Sequence, residues 1–219
     1  SGTRSLGRML TRARHVLGRA LRETGQALNV LGHMAGDDFS FRQPFTRHRT
    51  LMSLFDKAPA VASQVFVAPC ASVVGDVALA TKSSIWYSAV LRGDSSAVTI
   101  GEGSNVQDNV VIKTTKSSPA HIGSDVTIGH NAVLTGCTVG NRVLVGMGAV
   151  VSEGVEVESD AMIAAGAVVA PGTVVPSKQL WGGAPAVYMR DLKDAELSQL
   201  TKQATEYSAL ADVHVKAFA

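Results

Sequence analysis

The sequence predicts a mainly-β chain wound into a parallel β-helix, with an amphipathic helix before it and a second helix after it. Three observations carry this expectation. Aliphatic residues recur every six positions from Val67 to Trp181; Val, Ala and Gly are abundant while aromatics make up only 5%; and helical spacing is confined to the two ends. With 46% apolar and 17% charged residues, 219 residues suffice for one ordered main domain with terminal extensions.

The first element spans residues 1–36. Leu6, Leu10, Leu17, Leu21, Leu28 and Leu31 fall near three- and four-residue steps, with Arg4, Arg8, Arg12, Arg19 and Arg22 between them. The pattern predicts a helix over about 4–34 with a basic face, weakened near Gly18 and Gly25. This stretch holds six Arg and one Glu, whereas the remainder has 14 Lys/Arg against 17 Asp/Glu. Three roles fit a basic amphipathic helix: docking on anionic lipid or a membrane-embedded partner, packing on its own domain, or a retained Arg-rich presequence. Residues 37–66 contain Pro44, Pro59 and polar charged runs and read as a linker wrapping the main domain, with His48 a surface group.

The repeat occupies residues 67–190. Its aliphatic positions run Val67, Val73, Leu79, Ile85 and Leu91, then Ile100, Val106 and Ile112, then Ile122, Ile128 and Leu134. After a one-residue slip they continue from Val139 in steps of six to Val175, with Trp181 last. Each hexapeptide supplies one short flat side, so about 18 residues make a coil and about six coils stack. The aliphatic residue points inward, and small residues or Gly are expected at the corners. Interruptions at 92–99 and 113–121 are expected to emerge as loops on one edge. Residues 191–219 return to helical spacing through Leu192, Leu197, Leu200, Ala204 and Leu210, and read as a helix packed along the solenoid.

Several classes are excluded. No apolar run reaches the roughly 18 residues of a membrane-spanning helix. Cys70 and Cys137 form no CxxC pair and read as small hydrophobes or free thiols. The net-acidic body lacks a nucleic-acid motif. A hexapeptide-repeat acyltransferase is not excluded and stands as a minor alternative; it would need a histidine base beside the coil edge, for which His121 is the one candidate.

"VLRGDSSAVTIGEGSNVQDN", "TIGHNAVLTGCTVG", "VGMGAVV" and "WGGAPAVYMR" resemble the γ-class carbonic anhydrases. "RETGQALNVLG" and "TRHRTLMSLFDK" resemble the mitochondrial branch of that family, found in respiratory complex I of plants and algae. The resemblance implies a left-handed β-helix and a trimer holding zinc between neighbouring subunits through three histidines, two from one chain and one from the next. Carried onto this sequence, the lone cross-interface histidine is His130, while Lys113 and Thr135 stand where the other two would be. An ammonium has no lone pair and a neutral hydroxyl is a poor zinc ligand, so this chain alone would hold no metal. His130 then either completes a zinc site of a sister subunit or remains as a hydrogen-bonded interface residue.

Gln107 and Asp108 match polar residues near the metal in active relatives, and Arg92 and Asp94 match a pair bracing the trimer. Tyr207 also matches, with Ala209 in place of a family asparagine; His15, His33 and His214 read as ordinary polar residues. The implied function is a non-catalytic accessory subunit in a heterotrimer of homologous chains. It would sit on the matrix side of the mitochondrial inner membrane, against the membrane arm of complex I, with residues 4–34 on the membrane surface. The alternative is a carbonic anhydrase site completed by a sister subunit.

Overall fold

The computed structural model describes the backbone of residues 2–36 and 48–217 and the side chains of 16–32, 34–36 and 48–216. It divides into two units, 1–48 and 49–219.

The first unit is the helix α1 (Gly2–Ala35), which at 1.5 Å per residue is about 51 Å long. It runs unbroken through Gly18 and Gly25, contrary to the weakening expected there. A helical glycine costs only about 1 kcal/mol, and local bonds offset it: Arg22 Nε donates to Gly18 O at 3.1 Å, and Arg19 pairs with Glu23 at 2.7 Å. Leu17, Leu21, Leu28, Leu31 and Met34 remain 60–75% exposed. No described helix is long and apolar enough to cross a membrane.

The second unit is a left-handed parallel β-helix. Among the described residues the strands form an eight-stranded and a twelve-stranded sheet. The larger one covers two faces of the solenoid, joined where the long strands Ser72–Leu79 and Val90–Ile100 turn the corner. Register makes the repeat three-dimensional. Val67, Ile85, Val106, Ile128, Val145, Ile163 and Trp181 stack in one column. Val73, Leu91, Ile112, Leu134, Val151 and Val169 form the second. Leu79, Ile100, Ile122, Val139, Val157 and Val175 form the third. The first column has seven rungs rather than the six expected. From Val73 to Val175 every column residue is at most 3% exposed, so the inner face carries the hydrophobic stabilisation.

Two further expectations are corrected. Residues 92–99 belong to the strand Val90–Ile100, not to a loop. Gly75 pairs with Gly93 but Val77 with Val98, so the extra residues are absorbed as a bulge in the ladder. The bulge is stitched to the second insertion: Ser96 N–H donates to Thr114 Oγ1 at 3.1 Å and Ser96 Oγ to Thr115 O at 2.7 Å. Left-handed corners are also not reserved for glycine. Lys82, Asp125, Arg142, Asp160 and Lys178 adopt φ of 52–63°. Asp tolerates this region, and Arg142 is held there by paired bonds to Asp160 at 2.7 and 2.8 Å.

Residues 51–52 and 60–61 both pair with Ser72–Leu79, so the segment before Val67 contributes strands to the first coil. At the other end α2 (Asp194–Ala217) has acids in its first turn and His214 and Lys216 in its last, complementing the helix dipole. It lies on the smaller sheet, against strands of the first four rungs.

Candidate functional site

The site is built on a corner and a row. Because Val106 and Ile128 are in register, the residues two places further on, Asp108 and His130, project from the same corner one coil apart. Asp108 Oδ1 accepts the Tyr87 N–H at 3.0 Å, and Oδ2 lies 3.3 Å from His130 Nδ1. The Asp108 N–H also points at Nδ1, at 3.3 Å. A neutral ring can use one of these partners: it accepts from the amide, or it donates to the carboxylate and leaves the Nε2 lone pair free. Both side chains keep about a third of their surface exposed, 32% for His130 and 38% for Asp108.

Gln107 precedes this corner and turns under α2, where it is 2% exposed. Its Nε2 donates to Asn105 Oδ1 at 3.2 Å, and Asn105 Nδ2 donates to Thr127 Oγ1 at 2.9 Å. Among the described residues, its Oε1 is the buried side-chain polar atom without a partner. Tyr207 reaches this region from α2. Burial raises its hydroxyl pKa, the charge of Asp108 adds to the rise, and a hydrogen bond with Gln107 opposes it.

The row lies on the outer side of the second column. Ladder register places Arg92, Lys113 and Thr135 side by side on three successive coils. Alternation along each strand sends them outward, since Leu91, Ile112 and Leu134 point in. Arg92 Nε donates to Asp94 Oδ2 at 3.1 Å, and this contact lowers the Asp94 pKa. Lys113 is exposed and Thr135 half-buried. Next to them, the 114–119 loop is fixed by Glu153, whose Oε1 accepts from Thr115, Ser118 and Ser117 hydroxyls at 2.5, 2.9 and 3.0 Å. Those bonds hold its pKa below the usual carboxylate range. The loop beside the row is therefore tied down by Glu153.

Sequence reasoning missed one feature. His214, read as an ordinary polar residue, is the latch of α2: its Nδ1 lies 2.6 Å from Tyr87 Oη. Its ring sits 5.0 Å from Trp86, 5.7 Å from Tyr87 and 5.8 Å from Phe66. Tyr207 adds an edge contact to Trp86 at 5.6 Å. The signal was the clustering of scarce aromatics at 66, 86 and 87, which only coil register brings together. Ala209 is exposed on α2, and His48 is exposed as expected. The side chains of His15 and His33 lie outside the described residues. His121 is exposed and its Nδ1 meets Thr99 Oγ1 at 2.9 Å. Cys137 occupies a core position, where burial pushes its thiol up to about 12; Cys70 is exposed.

The donor set of one chain does not fit zinc. Lys113 and Thr135 offer an ammonium and a hydroxyl, and no three His, Cys, Asp or Glu among the described residues cluster closely enough to hold a metal ion.

Column, corner and capping helix together define a hexapeptide-repeat β-helix protein. The family model of the bacterial transferase hexapeptide matches residues 136–171. "Gamma carbonic anhydrase 1, mitochondrial" of Arabidopsis thaliana is 50% identical over 212 residues, covering 94% of this chain and 77% of its own length. A probable carbonic anhydrase of Methanocaldococcus jannaschii is 45% identical over 152 residues, covering 69% of this chain and 96% of its own. Among solved structures, a hexapeptide transferase family protein of Anaplasma phagocytophilum superposes with a TM-score of 0.72 at 40% identity. That match covers 74% of this chain and 96% of the other. The chain belongs to the γ-carbonic anhydrase family.

Proposed function

We propose that this chain is a scaffold subunit in a trimer of homologous γ-carbonic-anhydrase-like chains and carries no hydration chemistry of its own. One observation carries the reading. The two row positions where imidazoles would be needed hold Lys113 and Thr135, in register on adjacent strands. The surrounding architecture keeps its form, with Asp108 braced by Tyr87 and Arg92 bonded to Asp94. The trimer sits on the matrix side of the mitochondrial inner membrane as an accessory to the membrane arm of complex I. Support comes from the mitochondrial relatives and from α1, whose basic residues and exposed leucines suit an anionic lipid surface. The test is metal analysis and stopped-flow CO2 hydration on the purified full chain. Stoichiometric zinc, or hydration that a chelator abolishes, would overturn the reading.

A second reading is favoured by the carboxylate behind His130. With Nδ1–H donated to Asp108, the ring presents Nε2 outward, the form a metal-ligating imidazole needs. In a mixed trimer His130 would be this chain's contribution to a zinc site whose other histidines belong to a sister subunit. Co-expression with a homologue bearing both histidines, followed by metal analysis of wild type and His130→Ala, decides it. Zinc content that ignores the substitution removes His130 from the site.

A further inference from the structure

We infer that Lys113 of one chain pairs with the Asp108–His130 corner of the next, so that a tethered ammonium, not a metal ion, supplies the positive charge at this contact. The inference rests on the ring reading above and names what closes the ring.

The argument starts from charges a single chain leaves unmatched. Arg92 and Lys113 occupy adjacent rungs of a parallel ladder, where strands are about 4.8 Å apart and facing like charges are unfavourable. Arg92 is neutralised by Asp94 on its own strand. The Lys113 ammonium has no ion-pair or hydrogen-bond acceptor among the described residues. On the corner the imbalance is opposite. The Asp108 carboxylate is partly exposed, and among the described residues the His130 ring is the only basic side chain paired with it.

The two patches lie on the same coils but face different ways, and no bond joins them within the chain. Unlike, complementary patches on one molecule make a heterologous contact, and a heterologous contact whose rotation closes makes a ring. The chemistry of the groups matches. The ammonium offers three donors, and the partly exposed Asp108 carboxylate, whose Oδ2 lies 3.3 Å from His130 Nδ1, accepts. Lys113 is the last residue of its strand, and the loop that follows it is tied to Glu153 through Thr115 and Ser118.

The experiment is a charge swap in the full chain, alone and co-expressed with a homologous subunit that keeps the acidic corner, with ring dissociation followed by sedimentation and native mass spectrometry. Lys113→Glu and Asp108→Lys are each expected to weaken the ring about tenfold to a thousandfold. The double variant, with both charges reversed, is expected to return to within about tenfold of wild type. A chelator should leave the wild-type ring intact. Asp108→Asn keeps an acceptor for the Tyr87 N–H and removes only the charge. It separates charge loss from misfolding, and a cycle with Lys113→Gln serves where Asp108→Lys fails to fold. A ring indifferent to Lys113→Glu, a cycle with no coupling, or dissociation by chelator overturns the pairing. A wild-type chain that stays monomeric both alone and with the homologue overturns the ring reading itself.

Discussion

Replacing His214 with alanine tests how the C-terminal helix is held over the Gln107 corner. The substitution removes the 2.6 Å contact to Tyr87 Oη and an edge-on ring contact to Trp86 at 5.0 Å. A buried hydrogen bond contributes about 0.5–1.5 kcal/mol, and an aromatic contact about the same. The sum, about 1–3 kcal/mol, should appear as local opening, because His214 packs on Phe66, Trp86 and Tyr87 while the column residues stack inside the solenoid. Amides in the last turns of α2 should then exchange about tenfold to a hundredfold faster, while those of 127–175 keep their protection. Emission from Trp86 should shift red as the helix lifts. His214→Phe keeps the ring contact and loses the bond, so it should show roughly half the effect in free energy. Unchanged exchange in α2, or equal acceleration throughout the solenoid, would refute the latch.

Gly93→Ala should destabilise the solenoid by about 3 kcal/mol in urea titrations, because its Cβ would lie 2.1 Å from Asp76 O, a backbone atom that cannot turn aside. Arg190 and the Lys193 N–H hold Glu196 at about 2. Its folded pKa is thus below the unfolded value, so its contribution is complete above about pH 5 and fades as pH falls towards 2. The Tm gap between wild type and Glu196→Gln should follow that course. Introducing Lys113→His and Thr135→His together should give the assembled ring stoichiometric zinc, whereas either change alone should not; metal analysis reads both. A peptide of residues 1–36 should bind anionic vesicles, become more helical there, and release as salt rises, with neutral vesicles as the control.

The fold was legible because a solenoid writes its tertiary contacts into a short period. Each aliphatic residue six places from the last lands on a column, and the hydrophobic effect acts on all of them alike. The details that escaped depend on register, which a period does not encode. Ladder offsets decide that residues 92–99 extend a strand and that Ser96 meets Thr114 and Thr115. They likewise bring Phe66 and Trp86 from separate coils under a histidine more than a hundred residues away. Positive-φ corners escaped for another reason. Arg142, at a φ of 52°, is braced by bonds to Asp160, a partner one coil distant. The corner residues Asp108 and His130 were identified by family resemblance; their contact through Nδ1 was not readable from spacing.

Strand alternation also explains how such a chain can exchange the residues of its outer row without losing its shape. Lys113 and Thr135 flank Ile112 and Leu134, both fully buried, yet point the other way. Exchanging an outward residue changes stability by only about 0.5 kcal/mol, so the row is free to be rewritten while the columns are not. Gln107 is the converse. Its Oε1, without a partner among the described residues, costs about 1–3 kcal/mol, while its Nε2 anchors the buried Asn105. A corner that keeps this group beside Asp108 and His130 has the form of a contact surface rather than of core packing. Removing the group shows what the corner is for. Gln107→Leu should leave Tm nearly unchanged, because deleting the orphaned acceptor under α2 is offset by stranding Asn105 Oδ1, which loses its Nε2 donor. If the same change also leaves ring assembly intact, the orphan belongs to no interface and the corner acts through Asp108 and His130 alone.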